Sequence, residues 1–212
     1  MDQIKLDNIE QGLQNHEGAI NSFEKIKSPE ELLNYMRENI EYGFVGKNNK
    51  KIYALSDSDW GAGDFPKDEY YVQSPEQILI SKHGLCLDQA ELERFWFLKN
   101  SYEFKTFIIM FGKEIGQKSP AHTFLAYKNK DKWKWFENTL GENYGIDEFE
   151  NLNGLIKKAK AVISNNAVNS GATENDLEKI KIYEYQTPKY GCSADEFLND
   201  IISNDAAIEI EE

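Results

Sequence analysis

The chain has 212 residues, with 24 Lys and Arg against 37 Asp and Glu for a formal charge of -13. That charge repels phosphate backbones and anionic lipid, no segment carries a basic stripe to override it, and no apolar run is long enough to span a bilayer, so nucleic acid and membrane are poor candidates for a partner. With 40% hydrophobic and 13% aromatic residues there is material for one substantial core. The first residues have neither the basic segment nor the cleavage site of a secretory signal, which makes a cytoplasmic location the expectation. Cys86 and Cys192 are too few for a disulfide scaffold or a cysteine zinc site, and reduced thiols are expected.

In chain order, residues 1–27 are polar with scattered apolar positions at helical spacing and read as a leading helical arm. Ser28-Pro29-Glu30-Glu31 then signals a helix start, with Ser28 as N-cap and Glu31 completing a capping box, and Leu32, Leu33, Tyr35, Met36 and Ile40 supply its apolar face. Residues 42–46 read as a short strand or turn, 47–51 as a basic polar loop, and 57–68 as an irregular loop carrying Trp60. Ser74-Pro75-Glu76-Gln77 repeats the capped-helix pattern and opens a short helix that must end near Gly84.

From Cys86 a helix runs through Leu87, Ala90, Leu92, Phe95, Trp96 and Leu98. Its acids come early and Lys99 late, an order that suits the helix dipole, and its apolar breadth predicts deep burial. Residues 103–111 read as a buried strand and 112–120 as a loop. Residues 122–127 and 133–136 follow as two antiparallel strands joined by a polar turn at 128–131. Residues 141–145 read as a loop suited to lie over a site, 147–160 as mainly helix, 165–175 as a polar connector and 180–185 as a late strand. Ser193 caps a last helix before an acidic tail.

Within this order, Cys86 is the nucleophile candidate. A glycine turn, His83-Gly84-Leu85, delivers it to the first turn of a helix, where unpaired backbone N-H groups favour a thiolate. His122 supplies a base, and Glu137, one hairpin later, is placed to hold the far imidazole nitrogen. A buried cysteine or histidine taken singly is ordinary core material. The order of Cys, His and acid, together with the glycine turn, is what argues for chemistry. His83 must point away from the helix start to leave Cys86 reachable, and Cys192 has no recognisable His partner. For the oxyanion, the Cys86 N-H is one donor, with Trp60 first and then Gln77 and Tyr71 as side-chain candidates. Asp88, Gln89 and Asn138 are candidates for supporting roles, and Asn138 is the fallback for Glu137. No cofactor or metal is expected, because His16, His83 and His122 lack ligand spacing.

These residues carry a resemblance. Gly84, Cys86 and Ala90, then His122 with Phe124, then the aromatic strand ending in Glu137, resemble the transglutaminase-like superfamily of papain-like thiol enzymes. Residues 74–79, the run from Asp88 to Arg94, and Trp135-Phe136-Glu137-Asn138 are similar to a bacterial transglutaminase-like branch. The chain departs from the common pattern with Leu85 in place of Gln, Phe124 in place of Trp, and Glu137 in place of Asp.

The resemblance spans roughly residues 28–190. It implies an α+β papain-like core, a catalytic helix on an antiparallel sheet, with extra helices at both ends. The expected organisation is a helical arm (1–27), a catalytic domain (28–190), and a C-terminal helix and acidic tail (191–212) packed on the same domain. It also implies Cys86 as nucleophile, His122 as general base and acid, and Glu137 as orienting acid, acting on a protein or peptide amide. The same superfamily includes inactive binding modules, and a toxin or effector would use the same chemistry, so the family alone does not choose the reaction.

Overall fold

The computed structural model describes residues 17–46, 52–54, 68–111, 121–169, 172–204 and 207–208. Local chemistry fixes most of the element starts. Helix α1 (Glu17–Glu24) leads to α2 (Pro29–Asn39), where Ser28 accepts from the Glu31 N-H and Pro29 occupies the first turn. The Glu31 carboxylate reaches back to the Lys27 N-H at 2.8 Å, so the expected capping box is displaced by one residue. Strands β1 (Glu41–Val45) and β2 (Ile52–Ala54) follow. Helix α3 (Pro75–Ser81) has the complete box: the Gln77 N-H donates to Ser74, and the Ser74 N-H donates to Gln77 Oε1 at 2.8 Å. It stops at Lys82, whose φ of 57° is left-handed. The chain then passes through the two-residue strand β3 (His83–Gly84) into α4 (Cys86–Lys99).

Beyond α4 come β4 (Phe104–Met110), β5 (Ala121–Asn129) and β6 (Lys132–Glu137). A 3-10 turn (Gly141–Asn143) leads to β7 (Gly145–Phe149) and α5 (Leu152–Asn169). The described order closes with α6 (Glu174–Leu177), β8 (Lys181–Tyr185) and α7 (Ala194–Asn204).

Five strands form an antiparallel sheet in the order β7-β6-β5-β4-β8. Helix α4 covers one face, where Leu92, Trp96 and Phe97 pack with Leu125, Tyr127 and Phe136. Phe97 is fully buried there, and its burial contributes about 1.5–3 kcal/mol by area alone. Helix α5 covers the other face, setting Leu155, Ala159 and Ile163 against Phe107, Phe124 and Trp135. Alternate residues of β5 thus serve opposite layers, as a pleated strand requires. A second sheet has the order β2-β1-β3, with β1 antiparallel to β2 and parallel to β3. This is the expected α+β architecture of a helix on an antiparallel sheet. Among the described residues, no helix is long and apolar enough to cross a membrane.

Several expectations are corrected. Residues 147–149 are not helical but belong to β7, because Ile146 and Phe149 pair with Phe136 and Trp133 of β6, and that pairing outweighs local helix preference. The helix starts only at Leu152 and runs into the expected connector, since Ile163 and Ala167 continue its buried stripe. The segment 141–145 is a 3-10 turn and the start of β7, tied to α2 by the Tyr144 hydroxyl donating to Leu33 O at 2.9 Å. The leading part of the arm (1–16), the loops at 47–51, 57–67 and 112–120, and the acidic tail at 209–212 lie outside the described residues.

Helix α4 also buries charge. Glu91 is fully buried, and the Arg94 guanidinium lies 3.4 Å from it. Arg94 donates to Thr106 and, at 2.8 Å, to Tyr185 O, while its guanidinium lies over the Tyr185 ring. Burial pushes the Glu91 carboxyl up to about 7 despite the Arg94 charge. Removing one partner of such a group strands the other, so Arg94→Ala should lower unfolding free energy in urea by about 3–5 kcal/mol. Glu24→Ala, which breaks only the exposed pair with Lys99, should leave the midpoint unmoved. Equal, small effects from both would contradict the buried network.

Candidate active site

Cys86 is the first residue of α4 and is partly exposed. The first intrahelical bond runs from the Gln89 N-H to Leu85 O at 2.9 Å, so the amides ahead of Gln89 lack partners within the helix. Leu85 has no side-chain acceptor for capping; Asp88 supplies the reciprocal half, accepting the Leu85 N-H at 2.9 Å. Asp88 also accepts the Gln73 N-H at 2.9 Å and the Tyr70 hydroxyl at 3.1 Å. Burial raises its carboxyl to about 6 even against these hydrogen bonds. Gly84 lies in a close approach, since a Cβ there would lie 3.1 Å from both Asp88 Cβ and Gln89 Cγ and would need those side chains to give by a few tenths of an ångström.

Strands β5 and β6 bring the other two candidates together. Their pairing runs from Asn129 opposite Lys132 to Leu125 opposite Phe136, which places Glu137 beside the opening residues of β5. His122 Nε2 lies 2.9 Å from Glu137 Oε2, and both residues are buried. The remaining carboxylate oxygen of Glu137 accepts from the Thr139 and Leu140 backbone N-H groups at 2.8 and 3.1 Å, and from the Thr139 hydroxyl at 3.0 Å. With Nε2 engaged by Glu137, Nδ1 is the ring nitrogen through which His122 can act on the Cys86 thiol.

The electrostatics follow from these contacts. Burial pushes the Cys86 thiol up. The proximity and charge of His122, with a smaller contribution from Thr123, more than reverse this and hold it below its ordinary value. Burial likewise disfavours the His122 imidazolium, yet Glu137 and Cys86 together push it up to about 10. Such an arrangement favours a thiolate–imidazolium pair at neutral pH, the state in which a cysteine attacks. Glu93, buried on the same helix, has its carboxyl raised well above its ordinary value by burial and the Glu137 charge.

Among the supporting candidates, Asn138 Nδ2 donates to Gln89 Oε1 at 3.0 Å, and Gln89 Nε2 donates to Gly84 O at 2.8 Å, linking the end of β6 to the glycine turn. It is Glu137, not its fallback Asn138, that holds His122. Gln77 sits in the α3 capping box rather than in the hydrogen bonds around Cys86. Trp60 lies outside the described residues. Tyr71 is half-buried and feels the Asp88 charge. His83 engages Ser81 O at 2.7 Å and Glu41 Oε2 at 3.2 Å. Cys192 is buried, and its thiol is raised above the ordinary value by burial.

Sequence reasoning missed Gln73, Thr123 and Tyr42, a residue that β1–β3 pairing sets opposite Gly84 and whose phenol is raised by burial and by the Cys86 charge. Thr123 was detectable as the neighbour of His122; Tyr42 is brought in by a strand pairing that no local pattern signals. Among the described residues, no group of three or more His, Cys, Asp or Glu has metal-holding geometry.

The pH dependence has a definite sign. Alkylation of Cys86 by iodoacetamide, followed on its own peptide, should titrate below the ordinary thiol value. In His122→Ala the stabilising charge is gone and burial remains, so the apparent pKa should rise to or beyond about 8.5. A wild-type profile already at that value and unmoved by the substitution would contradict the ion pair.

A family model described as a transglutaminase-like domain matches residues 11–136, a stretch that takes in Cys86 and His122 and stops one residue short of Glu137. None of the curated proteins matches the chain. Because the family match spans more than half of the chain and the α4-on-sheet architecture agrees with it, the chain belongs to the transglutaminase-like domain family.

Proposed function

We propose that the protein is a cysteine enzyme that performs acyl transfer on a protein or peptide amide, with Cys86 as nucleophile, His122 as general base and acid, and Glu137 as the acid that orients His122. The observation that carries this reading is the buried His122–Glu137 pair at 2.9 Å, set beside a helix-start thiol that His122 helps to hold below its ordinary value. In this mechanism the Cys86 sulfur attacks the carbonyl carbon, the C–S bond forms, and the carbonyl π pair moves to oxygen beside the Cys86 N-H. The oxyanion then collapses, the C–N bond breaks, and the nitrogen leaves with the proton from the His122 imidazolium. The product of this half-reaction is a thioester.

Water then attacks the thioester as neutral His122 takes its proton, and collapse releases a carboxylic acid and restores the thiolate. Glu137 keeps the ring in one orientation throughout and stabilises its charged form. A primary amine in place of water would give a crosslink. Hydrolysis is favoured because water needs no docking surface, whereas an amine acceptor does.

Incubation with a random peptide library and hydroxylamine should yield peptide hydroxamates, the trapped form of the thioester. Cys86→Ala should yield none, and Glu137→Gln should slow their formation on the order of 10²- to 10⁴-fold by removing the charge that orients and stabilises the ring. Hydroxamate formation that survives in Cys86→Ala would sink the proposal.

A further inference from the structure

The Cys86 N-H that faces the oxyanion in the mechanism above belongs to the Leu85–Cys86 peptide plane and points where that plane points. Leu85 O accepts the Gln89 N-H at 2.9 Å, which turns this carbonyl into the helix and the Cys86 N-H, trans to it, out of the helix start. The preceding plane is held at both ends. Gly84 O accepts from Gln89 Nε2 at 2.8 Å, and the Leu85 N-H donates to Asp88 Oδ2 at 2.9 Å. Gln89 thus grips two consecutive peptide units ahead of the nucleophile, one with its backbone and one with its side chain. It is buried, and it lies so close across the turn that a Cβ on Gly84 would stand 3.1 Å from its Cγ. The amide is itself oriented. Gln89 Oε1 accepts from Asn138 Nδ2 at 3.0 Å, which turns the donor end, Nε2, toward Gly84. Asn138 also donates to Met36 Sδ of α2 at 3.4 Å, and it directly follows Glu137, the partner of His122.

We propose that Gln89 is a positioning residue for acyl transfer: through the Asn138–Gln89–Gly84 relay it aims the Cys86 N-H at the developing oxyanion, in register with the His122 that Glu137 holds. The proposal rests on the acyl-transfer reading above. Its physical logic lies in when the N-H is needed. A hydrogen bond to the carbonyl oxygen gains strength as that oxygen becomes charged, so an error in the N-H direction is felt at the transition state and little in substrate binding. Because His122 is held by Glu137 rather than by Gln89, loosening the turn leaves the imidazole in place.

Two probes of the same sulfur separate this role from general support of the helix start. Iodoacetamide alkylates by displacement at carbon and develops no oxyanion, whereas p-nitrophenyl acetate acylates through a tetrahedral oxyanion. For Gln89→Met, which keeps the length and loses the amide, the rate constant of the nitrophenolate burst should fall by about 10- to 10²-fold. The half-saturating ester concentration, the iodoacetamide rate and its pH profile should stay close to wild type. Asn138→Ala should slow the burst in the same sense but less. The double variant should be no slower than Gln89→Met alone, because the two residues act as one relay. Urea unfolding gives the folded fraction of each variant, so that rates are read per folded molecule, and Asn138→Ala, at a half-buried position, carries the test if Gln89→Met does not fold.

Equal losses with both probes would make Gln89 a support for the helix start as a whole and overturn the proposal. An unchanged burst in Gln89→Met would also overturn it, and losses that multiply in the double variant would overturn the relay. A wild-type protein that shows no acylation burst would instead refute the underlying acyl-transfer reading.

Discussion

The buried carboxylate of Asp88 is the point on which the arrangement around Cys86 depends. It receives the Leu85 N-H from the turn, and the Gln73 N-H and Tyr70 hydroxyl from the segment before α3, so two stretches of chain converge on one side chain of α4. Hydrogen bonds to a charged group contribute about 1.5–3 kcal/mol each, while taking a carboxylate out of water costs several kcal/mol. The hydrogen bonds therefore fall short of the desolvation cost, and a pKa raised to about 6 records the shortfall. What Asp88 supplies is position. It fixes the first turn of α4, and with it the Cys86 N-H and sulfur.

The same helix start is tied to the sheet by a second route. Two adjacent residues at the end of β6 diverge to different partners: Glu137 to His122, and Asn138 to Gln89, whose amide in turn holds Gly84 O. Any shift of α4 along the sheet would break the Asn138–Gln89 link at the same time as it parted Cys86 from His122. The thiol–imidazole separation is thus set by packed secondary structure rather than by a loop, which suits a pair whose proton transfer depends on hydrogen-bond distance.

What was legible in the sequence was local. The Ser74–Gln77 capping box, the start of α4 at Cys86 and the β5–β6 hairpin each depend on residues close together in the chain. His122 and Glu137 meet across one hairpin, so their pairing could be read from spacing. Tyr42 could not, because it is set opposite Gly84 by a parallel pairing of β1 with a two-residue strand, and nothing in a two-residue strand gives a periodic signal. Strand β7 was misread for a related reason: its short apolar pattern fits helix and strand alike until β6 is there to pair with it. The early acids of α4 suit a helix dipole on a solvated face, but the structure buries Asp88, Glu91 and Glu93, because the sheet, α2 and α3 leave that helix little solvent.

That burial bears on the thiolate. Three ionised carboxylates on the first two turns of α4 would act at short range and low dielectric to suppress a negative sulfur at the helix start. The fold answers each of them differently. Asp88 is surrounded by donors, Glu91 lies against Arg94, and Glu93, the one whose charge would bear most directly on Glu137 and His122, is pushed toward its neutral form by burial and by Glu137 itself. The positive end of α4 and the His122 imidazolium are therefore not cancelled where they matter. A chain with a strong overall negative charge can in this way hold its candidate nucleophile below the ordinary thiol pKa, because the charges that decide it are the few within hydrogen-bonding range, and those are the ones the packing has sorted.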